Sequence, residues 1–121
     1  MSTQTAESST LYNPPNAVEM EETIARIRSH KGVECVIIMD RRGAVIQSTL
    51  NDEQSSAHAT ALSDLTARAS HIIGMMNQND SDDGDDELTF LRIRSKQREV
   101  MISPEKGFIL VVIQNHHLMG S

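Results

Sequence analysis

The sequence has few of the residues that build disulfide frameworks, base-stacking platforms or membrane spans. Its one cysteine, Cys35, has no partner for an internal disulfide, which fits a reducing compartment. With no tryptophan and only three other aromatic residues, it offers no platform for the bases of a single-stranded nucleic acid. No apolar run approaches the ~18 residues of a membrane-spanning helix. We therefore expect neither a nucleic-acid partner nor a membrane span.

The first ten residues, MSTQTAESST, have neither the basic stretch nor the apolar centre of a secretory signal. The segment before Pro14 is mostly polar, and we predict a disordered arm over residues 1–15. These features favour a cytoplasmic location.

The negative charge of the chain is concentrated in one segment. Six of the 17 acidic residues lie between Asn79 and Glu87, which leaves 11 acids against 11 lysines and arginines elsewhere. Such a run of like charges is typical of a solvated loop. Calcium binding is not expected, because placing Gly84 at the invariant glycine of an EF-hand puts Phe90 where a bidentate glutamate is needed.

Hydrophobic periodicity predicts a helix at the start of the domain. Asn16 and Glu19 have the spacing of a capping box. Apolar residues then recur every three or four positions, which predicts a helix over Ala17–His30, with Gly32 as a natural stop.

The pattern then changes to that of strands. From Val33 to Met39 both faces of an extended segment are mostly apolar, which is typical of a strand covered on two sides. After a turn at Asp40 to Gly43, the segment Ala44–Leu50 predicts a second strand nearer an edge, because its last residues are polar. A helical stripe follows over Asp52–Met76, long enough at ~1.5 Å per residue to cross a five-stranded sheet.

Three strands are predicted after the acidic segment: Leu88–Ser95, Glu99–Ser103 and Phe108–Ile113. The short turns between them indicate an antiparallel meander. The last strand is apolar on both faces, so we place it in the sheet centre beside the first. The predicted fold is α/β, in the order helix, two strands, helix, three strands.

No group of residues has the pattern of a catalytic, cofactor or metal site. His116 and His117 are adjacent and lack the Cys/His spacing of a zinc site. Cys35 lies in a strand predicted to be buried, where a thiol acts as a small hydrophobe. Gly43 and Gly107 are turn glycines rather than parts of a phosphate loop. We predict a non-catalytic protein without a cofactor.

Three segments together resemble one protein family. They are IRSHKGV at 27–33, LTFLRIRSK at 88–96 and VIQN at 112–115, of which LTFLRIRSK is the most specific. In this order and at these intervals they resemble the roadblock family of dynein light chains. The resemblance extends from about Glu19 to Asn115.

The chain departs from the family pattern in three segments. The acidic connection at 79–87 is longer than is usual in the family. The arm at 1–15 and the tail at 116–121 extend beyond the domain, which we place at residues 16–115.

The resemblance implies a mostly antiparallel sheet ordered 2-1-5-4-3, with helices on both faces. It also implies a dimer, with an identical chain or another roadblock chain, in which the third strands pair edge to edge and the long helices lie side by side. The residues implied in this interface are Leu88, Thr89, Phe90, Leu91, Arg92 and Ile93 of the strand and Leu65, Ala69 and Ile72 of the helix.

The resemblance further implies a light chain of the dynein motor. It would bind the dynein intermediate chain, and through it the heavy chain and microtubules, in the cytoplasm or the axoneme of a cilium. Thr23, Ile27 and Lys31, on the flanks of the first helix, are candidate contacts with that partner. A second hypothesis is a scaffold or regulator of a small GTPase, as for related roadblock domains outside dynein.

Arg92, Arg94, Lys96 and Arg98 form a basic cluster on the third strand and its turn. Two interpretations remain open for it. The cluster is either a charged edge that discourages unwanted strand pairing or the border of a protein interface.

Overall fold

A computed structural model describes residues 16–77 and 86–116 and places two helices and five strands within them. The predicted arm, most of the acidic loop and the tail after residue 116 lie outside the described residues. The elements are α1 Ala17–Arg28, β1 Val33–Met39, β2 Val45–Ser48, α2 Asp52–Met76, β3 Leu91–Arg94, β4 Arg98–Pro104 and β5 Ile109–Asn115.

Reciprocal hydrogen bonds fix the start of α1. The side-chain oxygen of Asn16 accepts from the backbone N–H of Glu19 at 2.8 Å. The Glu19 carboxylate in turn accepts from the backbone N–H of Asn16 at 3.1 Å. This is the capping box that the sequence predicts.

The end of α1 differs from the expectation. The helix ends at Arg28 rather than at His30. The hydroxyl of Ser29 donates to the carbonyl of Arg26 at 2.7 Å and satisfies one of the last helical acceptors. Gly32, at a φ of 88°, then leads the chain into β1.

The five strands form one antiparallel sheet in the order β2-β1-β5-β4-β3, which confirms the predicted topology. The two strands that are apolar on both faces, β1 and β5, lie inside the sheet. The edges are β2 and β3. Helix α2 covers one face and α1 the other.

Each face of the sheet has its own core. On the α2 face, Ile37 of β1 and Ala59 of α2 are fully buried within one cluster. On the α1 face, Ile24 of α1 packs with Val36 and Ile38 of β1. Because β1 contributes alternate side chains to both cores, it joins the three layers of the domain.

The hairpin between β3 and β4 shows which way the backbone groups of β4 point. The N–H of Ser95 donates to the carbonyl of Arg98 at 2.8 Å. Since these directions alternate along an antiparallel strand, every second residue from Arg98 to Pro104 turns its backbone groups toward β3.

That direction explains why β3 is shorter than expected, beginning at Leu91 rather than at Leu88. The register places Leu91 opposite Ile102, so Thr89 would fall opposite Pro104. Proline has no N–H to donate, and the ladder therefore stops before that pair.

The other strand ends shift by one or two residues. At the end of β2, the Ser48 hydroxyl accepts from the N–H of Leu50 at 3.0 Å and turns the chain toward α2, so this strand is shorter than predicted. By contrast, β5 continues to Asn115 instead of ending at Ile113, because the N–H of Asn115 donates to the carbonyl of Gly32 at 2.8 Å. β4 gains one residue at each end.

Helix α2 approaches the turn between β1 and β2 so closely that only glycine fits there. Gly43 has a φ of +93°, which side chains rarely adopt. A Cβ atom at this position would lie 2.7 Å from Oγ of Ser63 and 3.2 Å from the carbonyl oxygen of Ala59. The turn therefore fixes the height of α2 above the sheet.

We expect Gly43→Ala and Gly74→Ala to change stability in opposite directions. Gly43→Ala should lower the free energy of unfolding by about 1–2 kcal/mol or more, from the positive φ and the clash with α2. Gly74 lies within α2 and has nothing within 4 Å of an added Cβ, so Gly74→Ala should raise it by about 0.5–1 kcal/mol. Urea unfolding at one protein concentration measures both, and equal effects would contradict the proposed packing.

Candidate protein-interaction surfaces

The outer edge of β3 presents unpaired backbone groups. β4 lies on one side of β3, and no other described strand pairs with the opposite side. The ladder directs the backbone groups of Leu91 and Ile93 toward β4 and those of Arg92 and Arg94 outward. A partner strand would therefore bond to the backbone of Arg92 and Arg94.

One face of β3 is apolar and partly exposed. Leu91 packs against the α2-side core, and Ile93, on the same face, is 39% exposed. The segment before β3 is irregular, with Leu88 half-buried and Thr89 and Phe90 exposed. The strand residues expected at an interface thus lie together at this edge.

The apolar flank of α2 becomes more exposed toward its C-terminus. Leu65 and Ala69 are half-buried, whereas Ile72 is 51% exposed. Met75 and Met76, at 55% and 69% exposed, belong to the same end of the helix and were not among the predicted interface residues. The helical stripe over Asp52–Met76 reaches this end of the helix, so the sequence pattern could have indicated that its last apolar residues are exposed.

Two of the candidate partner contacts, Thr23 and Ile27, lie on α1, and the third, Lys31, follows the end of the helix. Thr23 is half-buried and borders a small cavity of about 80 Å³ that Phe108 and Leu110 of the β5 side also line. Ile27 is half-buried against the α1-side core, and Lys31 is exposed in the turn after the helix. The flank marked by Thr23 therefore faces β5.

A buried acid, Glu99 of β4, lies on the α1 face beside β3 and was not singled out from the sequence. It is 3% exposed, and the Arg92 guanidinium donates a hydrogen bond to its carboxylate. That bond holds the pKa of Glu99 below its usual value, although burial opposes the shift. Nε2 of His116 lies 3.7 Å from Oε1 of Glu99 and has no hydrogen-bond partner among the described residues.

A second ion pair joins β4 to β1 across β5. Arg98 donates to both carboxylate oxygens of Glu34, at 2.8 and 3.1 Å. The hydrogen bonds from Arg98 lower the pKa of Glu34. Two members of the basic cluster, Arg92 and Arg98, are therefore paired with acids of the same chain, while Arg94 and Lys96 are exposed.

The described residues show no arrangement typical of a catalytic centre. Cys35 is buried as predicted, and burial raises the pKa of its thiol to about 11. His30, His58 and His71 are exposed. Within residues 16–77 and 86–116 no three acidic, histidine or cysteine side chains are grouped as metal ligands. No helix of that part is long and apolar enough to span a membrane.

The sequence of the chain matches a family model described as the roadblock/LC7 domain, over residues 19–114. The chain belongs to the roadblock family. The match confirms the predicted resemblance and covers nearly all of both helices and of the sheet.

Several solved structures share this fold. A roadblock/LC7 domain from Streptomyces avermitilis has a TM-score of 0.64 at 14% identity, over 76% of this chain and 74% of that one. The gliding protein MglB from Thermus thermophilus has a TM-score of 0.68 at 11% identity, over 90% and 82%. A structure described as MglB with tetrameric arrangement has a TM-score of 0.68 at 10% identity, over 88% and 79%. At these identities the likeness shows the fold alone.

We expect Glu99→Gln to weaken the dependence of stability on pH. The pKa of Glu99 in the folded protein is below its usual value of 4.5, so its stabilising effect is fully present above that value. It is lost as the pH falls through the folded-state pKa. In urea unfolding between about pH 7 and about pH 3, the wild type should therefore lose more free energy of unfolding than the variant.

Glu21→Gln is the matched control, because Glu21 is an exposed acid on α1. Its pH dependence should follow that of the wild type. Parallel curves for Glu99→Gln and wild type would show that the buried ion pair does not stabilise the fold.

Proposed function

We propose that this roadblock protein is a non-catalytic subunit that dimerises and serves as a docking surface for a protein partner. The free outer edge of β3 carries the proposal. Its backbone donors and acceptors have no partner strand among the described residues, and Ile93 adds exposed apolar surface. Such an edge is stabilised by pairing with a second copy, identical or paralogous.

Pairing of two β3 strands about a two-fold axis would create one continuous sheet. Helix α1 packs over β1 and β5, which leaves the α1 face of β3 and β4 uncovered by that helix. In a dimer these uncovered strips would adjoin and form a floor between two α1 helices. Amphipathic helices of a partner fit such a floor, with Thr23, Ile27 and Lys31 at its border.

Two classes of partner are consistent with this surface. The first is the dynein intermediate chain, which would make the protein a light chain of a dynein motor, acting on microtubules through the heavy chain in the cytoplasm or an axoneme. The segment LTFLRIRSK, which includes all of β3, supports this partner.

The second class is a small GTPase, for which the protein would be a scaffold or regulator. Support for this class comes from the solved structures with this fold reported above, which include the gliding protein MglB. The two classes differ in one testable property, since a GTPase would bind in a nucleotide-dependent way.

We expect Arg94→Pro to give a folded monomer. The backbone N–H of Arg94 points away from β4, so proline removes a donor from the dimer edge and none from the β3–β4 ladder. Leu91→Pro is the matched control, because the N–H of Leu91 points toward β4 and its loss should destabilise the domain itself. Sedimentation velocity measures the mass, and circular dichroism the fold. A folded Arg94→Pro dimer would contradict this interface.

The partner is tested by affinity capture with the wild-type dimer. Recovery of a dynein intermediate chain supports the first class. Recovery of a small GTPase that depends on the bound nucleotide supports the second. The purified dimer should show no catalytic turnover with either, and failure to bind any intermediate chain would overturn the dynein assignment.

We expect Thr23→Asp combined with Lys31→Glu to raise the dissociation constant for the captured partner by about tenfold or more while the dimer persists. The reason is that the double variant places new negative charge at the border of the docking floor. Calorimetry measures the dissociation constant. Glu21→Lys, on the outward side of α1, is the control and should leave the affinity unchanged. Unchanged affinity in the double variant would place the docking site elsewhere.

A further inference from the structure

The outer edge of β2 is a second edge of the sheet with unpaired backbone groups. β1 lies on one side of β2, and no other described strand pairs with the opposite side. The N–H of Thr49 donates to the carbonyl of Val36 in β1 at 3.0 Å. Since these directions alternate along an antiparallel strand, the backbone groups of Ser48 and Ile46 point outward. The register also leaves Ile46 without a partner in β1.

Apolar side chains project at this edge, beside an open cavity. Val45 is 37% exposed and Ile46 is 43% exposed. A cavity of about 480 Å³ lies between β2 and the first turns of α2, and the small side chains of Ser48, Ser55 and Ser56 line it. Outward backbone groups, apolar side chains and a neighbouring cavity are the features of an edge that accepts another strand.

The two ends of this edge carry opposite charges. Arg42 is exposed in the turn before β2, and Asp52 is exposed at the start of α2, just after β2. A strand that pairs with β2 is therefore favoured if it brings an acid to Arg42 and a base to Asp52. The chain's own β2 has this pattern when it runs antiparallel, because its acidic end then meets the basic end of the first copy.

The outward backbone groups determine the register of such a pair. With a two-fold axis at Gln47, Ile46 forms a hydrogen-bonded pair with the partner's Ser48, and Ser48 forms one with the partner's Ile46. Arg42 then lies at the same end as the partner's Asp52, since positions 42 and 52 are each five residues from position 47. The partner's Ile46 enters the cavity beside Ser48 and loses its exposure to water.

We propose that the edge of β2 binds β2 of a second copy, antiparallel and centred on Gln47. Because β2 and β3 are opposite edges of the sheet, one chain can use both at once. The dimers proposed above would then join into a row with one continuous sheet and with every α1 helix on the same face. The row rests on that dimer, whereas the β2 contact does not.

The contact is weak by itself and depends on local concentration. A strand of four residues buries far less area than a standard interface, so we expect a dissociation constant on the order of 0.1–1 mM. At micromolar concentration the contact is empty and does not affect the sedimentation test of Arg94→Pro. Dimers docked at neighbouring sites on one partner reach local concentrations in the millimolar range, where the contact forms. The β2 edge thus makes their docking cooperative.

The test is a disulfide across the two-fold axis. In the proposed register the two copies of residue 47 form a non-hydrogen-bonded pair with Cα atoms about 4.5 Å apart, within the range of a disulfide. We expect the full chain with Gln47→Cys, at about 0.5 mM and under mild oxidation, to give a covalent dimer on a non-reducing gel. The wild type, whose Cys35 is buried, should remain uncrosslinked.

Val45→Cys is the matched control. Val45 lies on the same strand and is more exposed than Gln47. In the proposed register it lies opposite the partner's Thr49, so the two copies of position 45 are on the order of 13 Å apart. Val45→Cys should therefore crosslink at least about fivefold more slowly. Equal rates would mean random collision and would overturn the proposal.

A charge exchange tests the pairing of the ends. In the chain with Gln47→Cys, Arg42→Glu places two acids together, and Asp52→Arg places two bases together. Each change should slow crosslinking by about threefold to tenfold, because the two-fold axis makes the contact twice. An equimolar mixture of the two variants has opposite charges at both contacts and should recover the rate. A mixture as slow as its components would overturn the antiparallel pairing.

Sedimentation of the crosslinked protein separates this inference from the dimer proposed above. With Gln47→Cys alone the product should contain four chains or more, and with Arg94→Pro added it should contain two. Two chains in both cases would overturn the β3 dimer and leave the β2 contact. A protein that sediments as a dimer and does not crosslink at position 47 would overturn the β2 contact alone.

Discussion

Burial of β1 on both faces is the constraint on which the rest of the structure depends. The residues from Cys35 to Met39 are at most 4% exposed. Alternate side chains of this strand need apolar cover on opposite sides of the sheet, so one helix layer would leave half of them in water. For this reason α2 covers one face of the sheet and α1 covers the other. An interior place for β1 and β5 leaves the less apolar β2 and β3 as edges.

Helix α2 serves two purposes with two of its surfaces. Its sheet-facing side uses small residues, including Ala59 and Ser63, to approach the turn at Gly43. A second side ends in exposed apolar residues, Ile72 and Met76. Because the first surface fixes the helix rigidly on its own sheet, the second is presented in a fixed orientation, which lowers the entropic cost of association.

Local patterns predicted the interior of the fold, and non-local register decided the remainder. The bounds Val33–Met39 were predicted to the residue, because apolar side chains on both faces mark them. Leu88 was wrongly assigned to β3. The strand begins only at Leu91, because the residue two positions earlier would lie opposite Pro104, which has no N–H to donate. This pairing depends on the register between two strands, which the sequence of one strand does not show. Glu99 gave no sign of burial either, since its partner Arg92 comes from the neighbouring strand. The predicted interface residues do lie together, at one edge and one flank.

The position of Cys35 makes the reactivity of its thiol a measure of how often the layers of the domain separate. Its thiol lies beneath α2, is 4% exposed and has a pKa raised to about 11, so the nucleophilic thiolate is scarce near neutral pH. Alkylating agents and oxidants should react slowly while the layers are closed and rapidly once α2 lifts from the sheet. The labelling rate of this one sulfur atom would thus report how often the domain opens.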